Sequence, residues 1–233
     1  MINLNDERPL EYEELHGLPR FICNYIDIND IKGKNILNIG CGFGWFELFA
    51  LRNKANSIKA IDLTVTDLAT ARKHIKHDTL EFLEGSALDL PFEDGSFDTV
   101  VSWEVIEHIP KNTEAQYFKE IRRVLKKNGN FYLSTPYKSI LGTAFDPAWW
   151  IIGHRHYTGN QLLDIGLPIG FTSREQLTKG GKWTIIALLN LYISKWIFRR
   201  PPFFNDFINK MVDGEFDHLK NGYTNLVLKL SAD

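Results

Sequence analysis

The sequence predicts an α/β fold: a doubly wound, mainly parallel sheet of seven strands, with a helical insertion before the last strand. Three observations carry this expectation. Short apolar runs alternate with helical segments through the first two-thirds of the 233 residues, the pattern of repeated β-α units. The first run ends in a glycine-rich turn, Gly40-Cys41-Gly42-Phe43-Gly44, that leads straight into helix. The second ends at Asp62, an acid at the carboxyl edge where such sheets bind ligands.

Each element has a local cause. Ile36–Ile39 is a short apolar run closed by glycine, a buried strand. Helix follows over Trp45–Arg52, then a strand over Ser57–Ile61 and helix over Thr66–Ile75. Leu80–Leu83 and Phe97–Ser102 are the next strands, the latter rich in β-branched residues. Thr113 reads as an N-cap with Gln116 completing a capping box, and that helix runs to about Lys127 before Asn128-Gly129. Asn130–Thr135 is a strand closed by Pro136. Thr158 and Gln161 repeat the capping-box spacing and open a helix that ends near Gly166. Gly170–Leu177 and Tyr223–Leu230 supply the last two strands. The organisation expected is one domain: a cap segment over 1–32, a core over 33–178, an insertion over 179–222 and a final strand over 223–233.

Composition narrows the partners. The formal net charge of −2 leaves no global basic footprint, so no nucleic-acid partner is expected. Arg122, Arg123, Lys126 and Lys127 cluster on the outer helix before strand five, where a solvated face accounts for them. Cys23 and Cys41 are too few for a disulfide framework and lack metal spacing, which points to a reducing, cytoplasmic setting. Met1–Arg8 is polar and has no apolar core, unlike a signal peptide. The longest apolar run, Thr184–Phe198, contains Lys195 and falls short of the roughly 20 residues that span a bilayer.

The glycine turn has chemical content. A sharp strand-to-helix turn requires backbone angles that glycine supplies, and bare backbone lets a ligand approach closely. Asp62 can accept both hydroxyl protons of a ribose, or it can be a helix cap. Dinucleotide sites favour G-x-G-x-x-G with pyrophosphate at the helix start. Here the spacing is G-x-G-x-G, and Glu47 in the first helical turn would repel a pyrophosphate. A ligand without phosphate, such as S-adenosylmethionine, suits the loop better.

At these residues the chain resembles the class I S-adenosylmethionine-dependent methyltransferases of Rossmann-like fold, in particular the type 11 group that includes ubiquinone-biosynthesis methyltransferases. The resemblance runs from about Gly33 to Phe171 and rests on ordered blocks: Ile36–Gly44, Ala60–Leu63, Glu84–Asp98, Ser102–Ile109 and Glu120–Asn130, with weaker matches at His156–Thr158 and Gly170-Phe171. Asn38 and Ser86 stand where the family usually has Asp, and Asn128 where it has Pro. The resemblance implies that Asn38, Gly40, Cys41, Gly42, Gly44, Asp62, Leu63, Ser86, Ala87, Leu88, Ser102 and Trp103 bind the cofactor. It implies transfer of a methyl group to an oxygen or nitrogen of a small-molecule or lipid- or glycan-linked acceptor, with S-adenosylhomocysteine as product. Two alternatives stand beside it: a non-catalytic cofactor-binding or scaffold protein, and an NAD(P)-dependent oxidoreductase.

Methyl transfer from a sulfonium asks the protein mainly to position the acceptor and exclude water. A hydroxyl acceptor also needs a base. His108, just after strand four, is the candidate catalytic residue. His154, Arg155, His156 and Tyr157 follow strand five over the same sheet edge, and His154, His156 and Tyr157 are the candidate substrate contacts. His-x-His without nearby Cys or Asp ligands gives no reason to expect a metal. No Asn/Asp-Pro-Pro-Tyr block follows strand four, and neither cysteine follows a proline, which demotes base-amino and cytosine-C5 chemistry.

The insertion is the last distinctive segment. Trp183–Phe198 reads as a helix apolar nearly all round, broken by Thr184, Asn190 and Ser194, and Phe203–Met211 as a second helix after Arg199-Arg200-Pro201-Pro202. Six cations face two anions over 179–213. Such a helix is buried or lies in lipid. It is expected to form a lid, a homodimer contact, or a peripheral membrane contact through 183–204. Tyr12, His16 and Arg20 carry no motif and receive no role.

Overall fold

A computed structural model describes residues 10–233, so Met1–Arg8 lies outside the described residues. The apolar runs pair into one seven-stranded sheet: β1 Asn35–Ile39, β2 Ser57–Asp62, β3 Leu80–Glu84, β4 Phe97–Trp103, β5 Leu125–Pro136, β6 Phe171–Lys179 and β7 Asn225–Ala232. The order is β3-β2-β1-β4-β5-β7-β6. The first five strands are parallel, and β7 runs antiparallel between β5 and β6. The order reverses between β1 and β4, so the carboxyl edge opens there.

Alternation along the strands explains the two layers. Leu37, Ile39 and Val100 point to one face and pack with Phe118 and Phe131. Ile36 and Val101 point to the other and pack with Phe46 and Tyr132. Helices α1 (Leu18–Tyr25), α2 (Trp45–Arg52), α3 (Val65–His74) and α4 (Glu114–Val124) flank the sheet. Two short helices after β5, α5 (Ile140–Ala144) and α6 (Pro147–Ile152), precede α7 (Gly159–Gly166).

Most boundaries fall within two residues of expectation, and the exceptions have causes. The Thr158 capping box is present. The Thr113 box is not: its hydroxyl donates to the Pro110 carbonyl, and Gln116 donates to the Leu88 carbonyl. Helix α4 stops at Val124, and Asn128, with φ 62°, sits in an irregular start to β5 rather than after a helix.

The insertion forms α8 (Lys182–Tyr192), continued by a π-helical turn over Ile193–Ile197, and α9 (Asn205–His218). Glu215 caps α8 by accepting from the backbone of Gly181, Trp183 and Thr184. Ile208, Val212 and Phe216 of α9 pack against Leu18 and Phe21 of α1. Asp213 reinforces that contact. It accepts from Gly17 N–H at 2.7 Å, pairs with His16 Nδ1 at 2.7 Å, and lies 3.2 Å from Arg20 Nε. Two residues without a sequence motif, His16 and Arg20, thus hold α1 to the insertion.

Asp213→Ala should loosen this clasp while leaving the sheet intact. Expected are faster amide exchange in α1 and α9 and a stability loss of about 1–2 kcal/mol, because the pairs are partly solvated. Exchange unchanged in both helices would mean that apolar packing alone holds them.

Candidate functional site

The glycine turn is built by close approach. Gly40, Gly42 and Gly44 have φ of 75°, 50° and 94°. The Gly40 and Cys41 N–H groups both donate to the Ile61 carbonyl, at 2.8 and 3.0 Å, which folds the turn over the end of β2. A Cβ on Gly40 would lie 2.3 Å from Val105 Cγ2, whereas one on Gly42 would meet nothing within 4 Å. Asp62 accepts from the Gly42 and Thr64 backbones, each at 2.8 Å. Both carboxylate oxygens keep further lone pairs. Beside the turn lies a cavity of about 400 Å³, lined by Gly40, Asp62, Leu63, Ser86, Leu88 and His108 among others, within the usual size of small-ligand sites. Leu63 is 71% exposed at its rim.

A second cavity of about 540 Å³ lies between the strand ends and the insertion, with His16, Phe145, His154, Leu188, Tyr192 and Asn225 in its wall. Glu104 lines both cavities. It follows β4 with a left-handed backbone, φ 56°, a conformation that costs an ordinary residue of order 1–3 kcal/mol and clusters at functional sites. Its Oε1 is buried without a hydrogen-bond partner, and Oε2 is 3.5 Å from Asn225 Nδ2. Burial raises its carboxyl above the ordinary carboxylate range. Glu107, three residues on in the turn after β4, accepts from Thr135 Oγ1 at 2.9 Å and leaves Oε1 unpaired. Burial, then the nearby Glu104 carboxylate, pushes Glu107 well up.

The histidines after β5 meet these acids through Asp146. Asp146 Oδ2 is 3.1 Å from His154 Nδ1 and 2.8 Å from His156 Nε2. Burial alone would raise Asp146, but the hydrogen bonds of both imidazoles and of the Ala148 N–H outweigh it and hold the carboxyl far below its ordinary value. With His154 Nδ1 turned to Asp146, its Nε2 faces inward. That atom lies 3.3 Å from His108 Nε2 and 3.8 Å from Glu107 Oε1. Desolvation, then the charges of His154 and Arg155, lowers the His108 value. Arg155 itself is structural. Its guanidinium donates to the carbonyls of Ile106, Glu107 and Ile109 and to Glu114, and so fixes the segment that displays Glu107 and His108.

Among the described residues, two clusters have atoms close enough to share a metal ion: Glu107, His108 and His154, and Asp146, His154 and His156. The sequence reading set a metal aside because His-x-His had no acidic neighbour. The fold supplies Asp146 and Glu107 as such neighbours.

The expected cofactor residues divide into two groups. Gly40, Asp62, Leu63, Ser86, Ala87 and Leu88 line the smaller cavity, with Gly42 and Gly44 shaping the turn. Asn38, Cys41, Ser102 and Trp103 do not line it and are buried behind it. Strand alternation sends Trp103 into the opposite layer, where its ring lies 5.9 Å from that of Phe46. His108 lines the smaller cavity, and His154 and His156 the larger. Tyr157 is corrected: it is buried, donates to Glu114 at 3.0 Å and lines neither cavity. Glu104 was missed as a site residue. Its sequence signal was only its place in the block after strand four, and its importance lies in backbone angle and burial.

Comparison with known proteins agrees with this geometry. Residues 37–133 match the model of a methyltransferase domain family. A ubiquinone biosynthesis O-methyltransferase of Neisseria meningitidis is 32% identical over 130 residues, 54% of this chain and 54% of that protein. The chain spans about half the length of the curated relatives it matches. A crystal structure of an S-adenosylmethionine dependent methyltransferase from Mesorhizobium loti has a TM-score of 0.61 at 17% identity, covering 91% of this chain and 96% of that one. The [4+2]-cyclase SpnF also scores 0.61, at 18% identity, covering 92% of this chain and 81% of that one. At such identities the likeness is one of fold, and a fold hosts more than one reaction.

The methyltransferase domain model matched over residues 37–133 implies S-adenosylmethionine as cofactor, and the residues fit it. Asp62 has lone pairs for a ribose, and Leu63 offers an uncovered apolar face for a base. Acids crowd the turn, which suits a cationic ligand and not a pyrophosphate. Gly40→Ala should abolish donor binding in calorimetry and cost about 2–4 kcal/mol in denaturant unfolding, because it combines backbone strain with overlap on Val105. Retained binding would show that the turn tolerates displacement.

Proposed function

We propose, from the premise that residues 37–133 carry a methyltransferase domain, that this chain methylates a hydroxyl oxygen of a small or lipid-linked acceptor. Bound at the glycine turn, S-adenosylmethionine supplies an electrophilic methyl group on a good leaving group. Gly40, Asp62, Leu63, Ser86, Ala87 and Leu88 would hold it. The acceptor would enter the larger cavity, and its hydroxyl would meet Glu104. The observation that carries the reading is Glu104, a carboxylate in the wall of both cavities whose Oε1 is buried without a hydrogen-bond partner.

An amine acceptor is nucleophilic once neutral, whereas an alcohol or phenol must give up its proton. Glu104 is raised by burial toward a useful basicity and takes that proton. His108 and His154 orient the hydroxyl, with Asp146 fixing the His154 ring. The oxygen-methylating relative agrees with an oxygen acceptor. An oxidoreductase is disfavoured by Glu47, whose carboxylate in the first turn of α2 would oppose a pyrophosphate at that helix start.

The lipid-linked version rests on the insertion. Leu188, Leu191 and Tyr192 of α8 line the larger cavity. Beyond them Trp196, Ile197, Phe198 and Phe204 are 57–81% exposed beside Lys195, Arg199 and Arg200. Apolar side chains ringed by cations suit an anionic headgroup boundary. Among the described residues no helix is long and apolar enough to cross a membrane, so the contact would be peripheral. The reading sets the chain at the cytoplasmic side, where its unpaired Cys23 and Cys41 stay reduced.

Glu104→Gln should lower kcat about 10²-fold or more on a hydroxyl acceptor, with donor affinity little changed. Activity within about threefold of wild type would remove Glu104 as the base. On vesicles, the chain should sediment with anionic but not zwitterionic lipid, and Trp196→Ser with Phe198→Ser should release it. Recovery in the supernatant with both lipids would remove the membrane contact.

A further inference from the structure

Glu47 is a buried acid that the methyl-transfer reading leaves without a task. It lies in the first turn of α2, three residues after Gly44, and its residue is 0% exposed. Its one side-chain partner is the Asn38 amide, which donates to Oε1 at 2.6 Å. Glu47 Oε2 and Asn38 Oδ1 are both buried with no hydrogen-bond partner. The pair therefore sits under the glycine turn half satisfied, a costly arrangement for a charge unless a positive group answers it.

The facing groups supply no such answer. From β1 comes the Asn38 amide, from α2 its own backbone N–H, and from the end of β2 the like charge of Asp62. From the turn comes the Cys41 thiol, which Glu47 itself pushes up after burial has done so. Two acids thus lie around one turn, and the groups around Glu47 are dipoles, a thiol or like charge.

We propose that Glu47 is the built-in counter-charge for the cationic methyl donor, so that the cradle favours S-adenosylmethionine over its product. The donor carries an ammonium and a sulfonium, and the product has lost the sulfonium charge. Coulomb attraction to Glu47 therefore holds the donor more strongly than the product at any common geometry. Glu47 is a positioning residue and touches no reacting atom. The inference rests on the donor reading above and adds a residue that neither sequence resemblance nor cavity lining assigns.

Proton linkage follows. Burial, against the Asn38 hydrogen bond, lifts Glu47 to about 7. A cation bound nearby pulls that value down, so binding near neutrality releases protons. Donor affinity rises from pH 6 to pH 8 as Glu47 ionises. The folded state holds this proton more tightly than the unfolded chain does, so Glu47 lowers stability as pH rises from about 4.5 to about 7. Removing the charge should therefore raise the melting temperature at pH 8.

The test is calorimetry of S-adenosylmethionine and S-adenosylhomocysteine on the full chain at pH 6, 7 and 8, in two buffers of different ionisation enthalpy. Glu47→Gln keeps the shape and can pair its amide with Asn38 Oδ1, so it folds. It should weaken the donor about tenfold at pH 8, weaken the product less, and abolish proton release. Asn38→Asp combined with Glu47→Gln moves the acid across the pair and should restore the preference for donor. Equal loss for both ligands, or unchanged proton release, overturns the proposal and leaves the methyl-donor reading standing. No heat from either ligand on wild-type protein sinks that reading and takes this inference with it.

Discussion

The bare backbone of Gly40 against Val105 is the contact on which the site depends. Parallel strands β1 and β4 are neighbours at the reversal of strand order, so their carboxyl ends open side by side. The turn after β1 and the segment after β4 must then share one small volume. With Val105 Cγ2 2.3 Å from where a Cβ would stand, no residue but glycine permits that sharing. The approach brings the turn that suits the donor within one residue of Glu104. Two cavities built from different parts of the chain can meet at that point, one walled by β2 and β3 loops and the other by β5 loops and the insertion.

The second organising feature is unsatisfied acid. Glu47, Glu104 and Glu107 each bury an oxygen with no partner, and Glu104 adds a left-handed backbone. Folding alone would select against all three, since apolar replacements or paired charges would be more stable. Asp146 makes the contrast: it is as enclosed as a structural acid usually is, yet two imidazoles and a backbone N–H satisfy it. Burial thus pushes one set of carboxylates up while hydrogen bonding holds a neighbouring one down. Pairs of acids driven apart in this way mark sites where a proton is moved or a cation is held.

Much of this was legible in the sequence, for identifiable reasons. Glycines that need positive φ, an acid ending β2 and alternating apolar runs are local signals, and the strands and the glycine turn fell where those signals put them. What was not legible depended on direction or on distant partners. Trp103 and Tyr157 neighbour lining residues yet are buried away from both cavities, Trp103 because alternate strand positions face opposite ways and Tyr157 because its hydroxyl is drawn to Glu114. Thr113 has the residue types of a capping box, yet a nearer carbonyl at Pro110 and one at Leu88 captured its hydroxyl and Gln116. Asp146 became the partner of His154 and His156 only because α6 folds back on the loop that follows it. Glu104 looked like an ordinary member of the block after strand four, since residue type says nothing of strain.

The insertion shows how one apolar pattern can face two surroundings. An all-round apolar helix must hide its surface, and the expectation was a lid, a homodimer contact or a lipid contact. Helix α8 divides the task along its length. Its second half turns Leu188 and Leu191 to the larger cavity, while the π-helical turn that continues it presents Trp196, Ile197 and the following Phe198 outward beside Lys195 and Arg199. None of the eleven residues of α8 is fully buried. On the other side of the same cavity, α6 exposes Trp150, Ile151 and Ile152, and Phe145 and Ala148 join the wall. A cavity with apolar flanks and acids and imidazoles at its floor suits an acceptor with a greasy body and a polar reacting end. Such a molecule can lie with its tail between α6 and α8 and its hydroxyl at Glu104, without the protein having to bury the tail completely. The Asp213 clasp then gains a reason, because a helix pair left partly uncovered by the sheet must be held to α1.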